Sequence, residues 1–174
     1  YATGAVTSSG ETARSCGGFT GLVRSPQAGT PNSYSNIYAT GNVTTCGRHA
    51  GGLFGQADQV DLSSAYATGN VSTGTANNGV INIAGGLIGY LLNSNEAAPF
   101  NSVDTTSASG SVTATATTEQ AYGGGLIGML LFASNGGAPA AVGGSTISNS
   151  FSSSAAVTCT APAKAVSCGG LIGI

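Results

Sequence analysis

The chain has 174 residues, enough for one domain with a core, and its charged residues make up only 6% against about 25% in an average domain. A hydrophobic fraction of 41% excludes a disordered polar chain. The net charge is −2, and the scattered cations, Arg14, Arg24, Arg48 and Lys164, exclude a nucleic-acid surface of clustered Lys and Arg. Such weak charge gives little repulsion between copies and so tolerates self-association.

Two short blocks recur along the chain, and they predict a repeat protein. Copies of the first block, Tyr-Ala-Thr-Gly-Asn-Val, begin at Tyr1, Tyr38, Tyr66, Ser107 and Ser152, the last two degraded. Copies of the second block, Gly-Gly-Leu-Ile-Gly, follow, with a loose copy at 17–21. In the later copies, the Gly and Leu residues that we expect to have a structural role in the repeat are Gly51, Gly52, Leu53, Gly55, Gly85, Gly86, Leu87, Gly89, Gly124, Gly125, Leu126, Gly128, Gly169, Gly170, Leu171 and Gly173.

The blocks divide one predicted domain, 1–174, into repeats at about 1–37, 38–65, 66–103, 104–150 and 151–174. Each block resembles a strand, because the first alternates with a period of two and the second holds too much Gly for a helix. A third, weaker strand precedes each new repeat, and longer insertions lie around 93–99 and 134–144. The pattern predicts an all-β fold, a β-helix-like β-solenoid of about five irregular coils with long loop insertions.

Stacked repeats bring like residues into ladders. We expect one ladder of Val6, Val43, Val71, Val112 and Val157, and another of Phe19, Leu53, Leu87, Leu126 and Leu171. Glycine between them permits tight corners, positive φ and close backbone approach. The adjacent Leu and Ile of a glycine block should point to opposite faces of a strand, so we expect the chain's insertions or another subunit to cover the second face.

Four cysteines, Cys16, Cys46, Cys159 and Cys168, allow three pairings. The economical pairing is Cys16–Cys46 and Cys159–Cys168, each joining strands on either side of a corner. Buried free thiols are the alternative. Zinc is disfavoured, because no Cys-x-x-Cys occurs and only His49 could add a ligand. Paired cysteines predict an oxidising compartment.

Together, the two blocks resemble the GLUG-motif repeats of bacterial surface proteins, in which Tyr-Ala-Thr-Gly-Asn-Val precedes Gly-Gly-Leu-hydrophobic-Gly across a short spacer. The likeness covers nearly the whole chain and is strongest in the second and third repeats. It implies an extracellular module, found in adhesins and beside the peptidase domain of immunoglobulin-A-cleaving metalloproteases. The motif is structural, so it implies no catalytic residue. The cysteines and long insertions depart from it and leave room for a specialised subunit.

No residue pattern predicts an enzyme, a cofactor or a metal site. His49 is the only histidine, which leaves no His-Glu-x-x-His motif, and no Gly-x-Ser-x-Gly elbow exists for a triad. We expect His49 to be a solvated loop residue. The six acids, Glu11, Asp58, Asp61, Glu96, Asp104 and Glu119, lie in different predicted loops, which argues against a glycosidase or lyase. Asp58 and Asp61 are the closest pair, but calcium needs more oxygen ligands.

Two further expectations concern modification and the chain ends. Asn42 and Asn70 begin glycosylation sequons, and accidental sequons of the repeat block are the alternative. The chain begins inside a block at Tyr1 without a signal peptide, which predicts a processed product or the ordered part of a precursor. It shows no polar cap at either end, which predicts a head-to-tail homopolymer. Its longest apolar run, 122–132, is too short to span a bilayer.

The sequence thus favours a non-enzymatic extracellular or cell-surface protein of structural or adhesive function. It would be a self-assembling filament subunit, or a stalk segment of an adhesin that meets a host or neighbouring cell. One alternative is a substrate-binding module of a secreted protease. Another is an ice-binding solenoid, which depends on alternate threonines in 111–118 and on a row of Thr3, Thr40 and Thr68.

Overall fold

A computed structural model describes residues 1–8, 15–25, 30–75, 79–94, 101–132 and 145–174. These residues form strands, with no helix among them, which confirms the all-β prediction. No helix of the described ranges could therefore cross a membrane. The predicted insertion at 134–144, and all of 93–99 after Ser94, lie outside the described residues.

The strands are short. In chain order they are β1 (Val6–Thr7), β2 (Ser15–Gly17), β3 (Thr20–Arg24), β4 (Asn32–Ser35), β5 (Tyr38–Ala39), β6 (Val43–Cys46), β7 (His49–Gly51), β8 (Phe54–Asp58), β9 (Val60–Ala67), β10 (Val71–Thr73), β11 (Asn82–Gly85), β12 (Ile88–Asn93), β13 (Ser102–Ala108), β14 (Val112–Thr115), β15 (Ala121–Gly124), β16 (Ile127–Phe132), β17 (Thr146–Ser148), β18 (Phe151–Ser152), β19 (Val157–Thr160) and β20 (Val166–Gly169).

The strands form four sheets, and strands of successive repeats are neighbours in each sheet. Sheet 1 has the order β1–β6–β10–β14–β19, and sheet 2 the order β2–β7–β11–β15–β20. Sheet 3 has the order β3–β8–β12–β16, extended by a bridge between Ile127 and Ile172. Sheet 4 has the order β4–β9–β13–β17, with β5 beside β9 and β18 beside β13. All these pairings are parallel, so the backbone bonds link repeat to repeat.

Each sequence block forms a corner, so the prediction of one strand per block is wrong. In the second repeat, β5 lies in sheet 4 and β6 in sheet 1, with the chain bending between them at residues 40–42. The glycine block likewise divides into β7 of sheet 2 and β8 of sheet 3, with Gly52 and Leu53 in the bend. The chain therefore visits four sheets per repeat instead of the three predicted strands.

Two hydrophobic clusters fill the space between the sheets. The valine ladder is confirmed, since Val43 pairs with Val6 and Val71, and Val112 pairs with Val71 and Val157. It lies with alanines and Cys46 between sheets 1 and 2. Leu53, Leu87 and Leu126 of the leucine ladder lie in the second cluster, between sheets 3 and 4.

The adjacent Leu and Ile of a glycine block face the same core, which contradicts the prediction of opposite faces. Leu87 and Ile88 are both 0% exposed and belong to one cluster. Leu87 lies in the bend and Ile88 begins β12, so the alternation of a strand does not apply between them. These positions therefore need no cover from an insertion or from another subunit.

The motif glycines are required for close backbone contact and not for positive φ. Only Gly79, outside the blocks, has a φ in the left-handed region among the described glycines. A Cβ on Gly51 would collide with the carbonyl oxygen of Phe54, and a Cβ on Gly55 would lie 2.5 Å from the amide nitrogen of Cys16. Sheets 2 and 3 therefore approach each other, backbone to backbone, beside the corner.

Candidate functional site

Two disulfides connect sheets 1 and 2, and the predicted pairing is confirmed. Cys16 in β2 is joined to Cys46 in β6, with Cα atoms 5.8 Å apart. Cys159 in β19 is joined to Cys168 in β20, with Cα atoms 6.0 Å apart. The second disulfide spans one corner as predicted, whereas the first connects the first repeat to the second. Buried free thiols are thereby ruled out.

His49 is buried, and the prediction of a solvated loop histidine is wrong. It lies in β7 with 3% of its surface exposed. Its Nδ1 lies 3.2 Å from the Oγ of Ser15, and its ring centroid lies 4.9 Å from that of Tyr90. Burial, and then the charge of Arg48, lower the pKa of His49 to about 4, while a hydrogen bond with Gln56 opposes them. The imidazole is therefore neutral at pH 7.

A pocket of about 350 Å³ surrounds this histidine. Its lining residues come from the first three repeats and are Ser15, Leu22, Arg24, Arg48, His49, Gln56 and Tyr90. Strand register aligns Ser15 with His49 in sheet 2, and Gln56 with Leu22 and Tyr90 in sheet 3. Ser15 Oγ also lies 3.5 Å from Gln56 Oε1, so the two rows meet across the corner. We call this group of residues the His49 pocket.

The charged groups of the His49 pocket are unequally paired. The Nε of Arg24 lies 3.6 Å from the Oδ2 of buried Asp58, which also accepts hydrogen bonds from the backbone N–H and Oγ of Ser94. Within the described ranges, no carboxylate lies within 4.0 Å of Arg48. The Nε of Arg48 and the Nε2 of His49 are buried and have no hydrogen-bond partner there. The pocket thus combines positive charge with unpaired polar atoms.

This arrangement suits ligand binding better than proton transfer. A histidine with a pKa of about 4 is a weak base at pH 7, and no carboxylate of the described residues orients it, as a catalytic triad would require. Asp58 is buried in β8 and Asp61 is exposed in β9, so the pair lies in strands and not in the predicted loops. Among the residues that the structure describes, no three His, Cys, Asp or Glu side chains are grouped to hold a metal ion.

Asn42 and Asn70 are exposed and form a hydrogen-bonded column that sequence reasoning missed. The Oδ1 of Asn42 accepts the backbone N–H of Asn70 at 2.9 Å, and the Oδ1 of Asn70 accepts that of Ser111 at 2.9 Å. The repetition of Asn at one block position was the available signal. Glycosylation of either residue stays a prediction.

Aromatic and hydroxyl side chains form further columns on the surface. Tyr38 stacks on Tyr1 and Tyr66 with ring centroids 5.2 and 4.8 Å apart, and the next position in this column is Ser107. On sheet 1, hydroxyl side chains are aligned across neighbouring strands; the pairs are Thr7 with Thr44, Ser72 with Thr113, Thr113 with Thr158, and Thr115 with Thr160. Thr3, Thr40 and Thr68, predicted to form a row, are all exposed.

Comparisons of the chain with protein-family models, curated proteins and solved structures found no match. The resemblance to GLUG repeats therefore stays a prediction from the two sequence blocks.

Proposed function

We propose that the chain is a single β-solenoid domain of the GLUG-repeat type that acts as a non-enzymatic structural or adhesive protein outside the cell. Four parallel sheets with strands from successive repeats support the solenoid architecture. Continuous Val and Leu ladders support it further, because a single repeat cannot bury its apolar face alone. Low charge suits a protein whose copies associate.

An extracellular or cell-surface location is supported by the disulfides. Cys16–Cys46 and Cys159–Cys168 use all four cysteines of the chain. Such bonds persist in oxidising compartments and are rare in the cytosol.

Self-assembly is supported by one observation, the exposure of the leucine ladder at its two ends. Leu87 in the middle is 0% exposed, whereas Phe19 is 38% and Leu171 is 37% exposed. Ile174 in the last repeat also exposes more than half of its surface, at 52%. A further repeat stacked on either end would bury these side chains and pair the open strand edges. Another copy would supply that repeat in a filament, and the same polypeptide would supply it in an adhesin stalk.

Light scattering and electron microscopy on residues 1–174 test the filament. Contacts between the last repeat of one copy and the first of the next are heterologous, so they give open polymers unless the rotation closes a ring. We expect long polymers from the wild-type chain. A monomer whose size does not change with concentration would contradict the filament hypothesis. The stalk of an adhesin would then remain as the proposed role.

Charged variants at the two ends sharpen this test. Phe19→Glu and Leu171→Glu each place a carboxylate at one end of the leucine ladder. Each should stop polymer growth at that end, while the other end can still bind another copy. Mixing the two variants should give dimers and no longer species. Ser109→Glu, at an exposed position, is the matched control and should polymerise. Circular dichroism must show that all three variants keep the β-spectrum of the wild type.

Ice binding is a second candidate, favoured by the hydroxyl array on sheet 1. Thr113 and Thr115 lie beside Thr158 and Thr160 on adjacent parallel strands, while Ala114 between them is buried. Neighbouring strands are about 4.8 Å apart, which gives hydroxyls a regular spacing. Thermal hysteresis of the wild type, absent from Thr158→Tyr, would support this function. No hysteresis in either protein would contradict it.

A further inference from the structure

The His49 pocket departs from the repeat pattern, which indicates a role beyond stacking. The positions aligned with His49 in the next repeats hold Ile83 and Tyr122. The position aligned with Tyr90 in the fourth repeat holds Met129. In the first and last repeats the position aligned with His49 holds a serine, so the row is not uniformly apolar, and a histidine occurs in it once. The second repeat places a buried histidine beside an arginine.

Two polar atoms of the pocket lack the partners that buried groups normally have. His49 is 3% exposed and Arg48 precedes it, and both line the pocket. The Nε2 of His49 and the Nε of Arg48 are buried without a hydrogen-bond partner among the described residues. Buried polar atoms in folded proteins are almost always paired, so a bound polar ligand would complete this site.

The charge of the pocket selects an anion. Arg24 faces Asp58 at 3.6 Å, so its charge is partly compensated, whereas Arg48 has no acidic partner in the described ranges. The carboxylate of Asp58 already receives two hydrogen bonds from Ser94. It is therefore poorly placed to accept an ammonium group, which disfavours amino acids and peptide N-termini. A carboxylate matches the planar guanidinium of Arg48 and can accept two parallel hydrogen bonds from it.

The rest of the lining suits a sugar ring. Tyr90 and Leu22 give partly exposed apolar surface at the rim, and Ser15 and Gln56 offer donors and acceptors for hydroxyl groups. We propose that the His49 pocket binds a carboxylated sugar, such as a uronic acid unit of an acidic polysaccharide, with its carboxylate on Arg48 and its ring against Tyr90. The volume of about 350 Å³ is at the lower end for small-molecule sites and fits one sugar unit.

This inference rests on the extracellular setting proposed above, where acidic polysaccharides occur, and it does not rest on self-assembly. The pocket lies on the side of the stack, between sheets 2 and 3. Its lining does not include Phe19 or Leu171, the residues proposed for the head-to-tail contact. Binding and polymer growth can be measured separately, so either proposal can fail alone.

Calorimetry with tetragalacturonate tests the proposal. We expect saturable binding of this acidic oligosaccharide. Its fully methyl-esterified form keeps the ring and loses the charge, so its dissociation constant should be at least tenfold higher. Arg48→Gln should weaken binding by about tenfold or more. Tyr90→Leu should also weaken binding, because it removes the aromatic ring without changing the charge of the pocket. Lys164→Gln, which removes an exposed cation outside the pocket, is the control and should bind like the wild type.

Three results of this calorimetry would overturn the proposal. These are equal binding of the acid and its ester, an Arg48→Gln variant that folds and binds like the wild type, and no binding by the wild type. Competition by inorganic phosphate or N-acetylglutamate at the same concentration would show a general anion site and would also reject the sugar assignment. Polymer growth without sugar binding would reject this inference and keep the proposed structural function.

Discussion

A Cβ atom placed on Gly52 would lie 2.7 Å from the Cβ of Ala67, so the corner of a glycine block packs against the small residue of a Tyr-Ala-Thr-Gly block. The same contact recurs between Gly86 and Ala108, at 2.8 Å. The two sequence blocks therefore meet in the structure, and neither can change size alone. This contact gives a physical reason for their joint repetition.

Gly52→Ala should destabilise the protein by about 3 kcal/mol, because the new methyl would overlap both Ala67 and the carbonyl oxygen of Gly86. Gly4→Ala is the control, since nothing lies within 4 Å of a Cβ there. It should change stability by less than about 0.5 kcal/mol. Urea unfolding measures both. Equal effects of the two changes would show that close approach is not what selects glycine.

Removing the disulfides should have unequal effects. Cys16 and Cys46 are 30 residues apart, and Cys159 and Cys168 are 9 apart. Loop-closure entropy then predicts losses of about 3.7 kcal/mol for the first pair and about 2.7 kcal/mol for the second. Unfolding of the two Cys→Ala double variants measures this difference. A larger loss from the shorter loop would contradict the entropic explanation.

Stability should fall when the pH decreases from about 6.5 to 4. The pKa of His49 is lowered from 6.5 to about 4 in the folded protein, so the unfolded chain binds the proton first. The full stability is present above pH 6.5, and about 3 kcal/mol of it is lost on reaching pH 4. Urea unfolding at several pH values should show this slope in the wild type. Subtracting the pH dependence of the free energy of unfolding of His49→Gln gives the contribution of the histidine. If the wild type and the variant lose stability in parallel, the histidine does not cause the loss.

Ser64→Asn should stabilise the protein. Ser64 has a φ of 51°, and the corresponding positions in other repeats hold Asn36, Thr105 and Asn149, with φ of 55°, 52° and 49°. Asn tolerates this left-handed conformation better than Ser, so we expect a gain of about 0.5–1 kcal/mol. Thermal unfolding measures it. Ser63→Asn, one residue earlier, is the control and should give no gain.

The sequence by itself determined the features that arise when equivalent residues of successive repeats stack on one another. The all-β class and the valine ladder were both predicted from the recurrence of the blocks. These predictions succeeded because parallel in-register strands place equivalent positions beside one another, so the period in the chain becomes the neighbour relation in space.

Only the tertiary structure decided where the chain turns and what lies between the sheets. A six-residue block with a period of two is compatible with a strand or with a corner, and the difference depends on backbone contacts such as that of Gly52 with Gly86. The contact of Gly55 with Cys16 brings sheet 3 to sheet 2, and His49 of sheet 2 lies beside Tyr90 of sheet 3. The burial of that histidine depends on residues 34 and 41 positions away in the chain, Ser15 and Tyr90, which no local pattern can reveal.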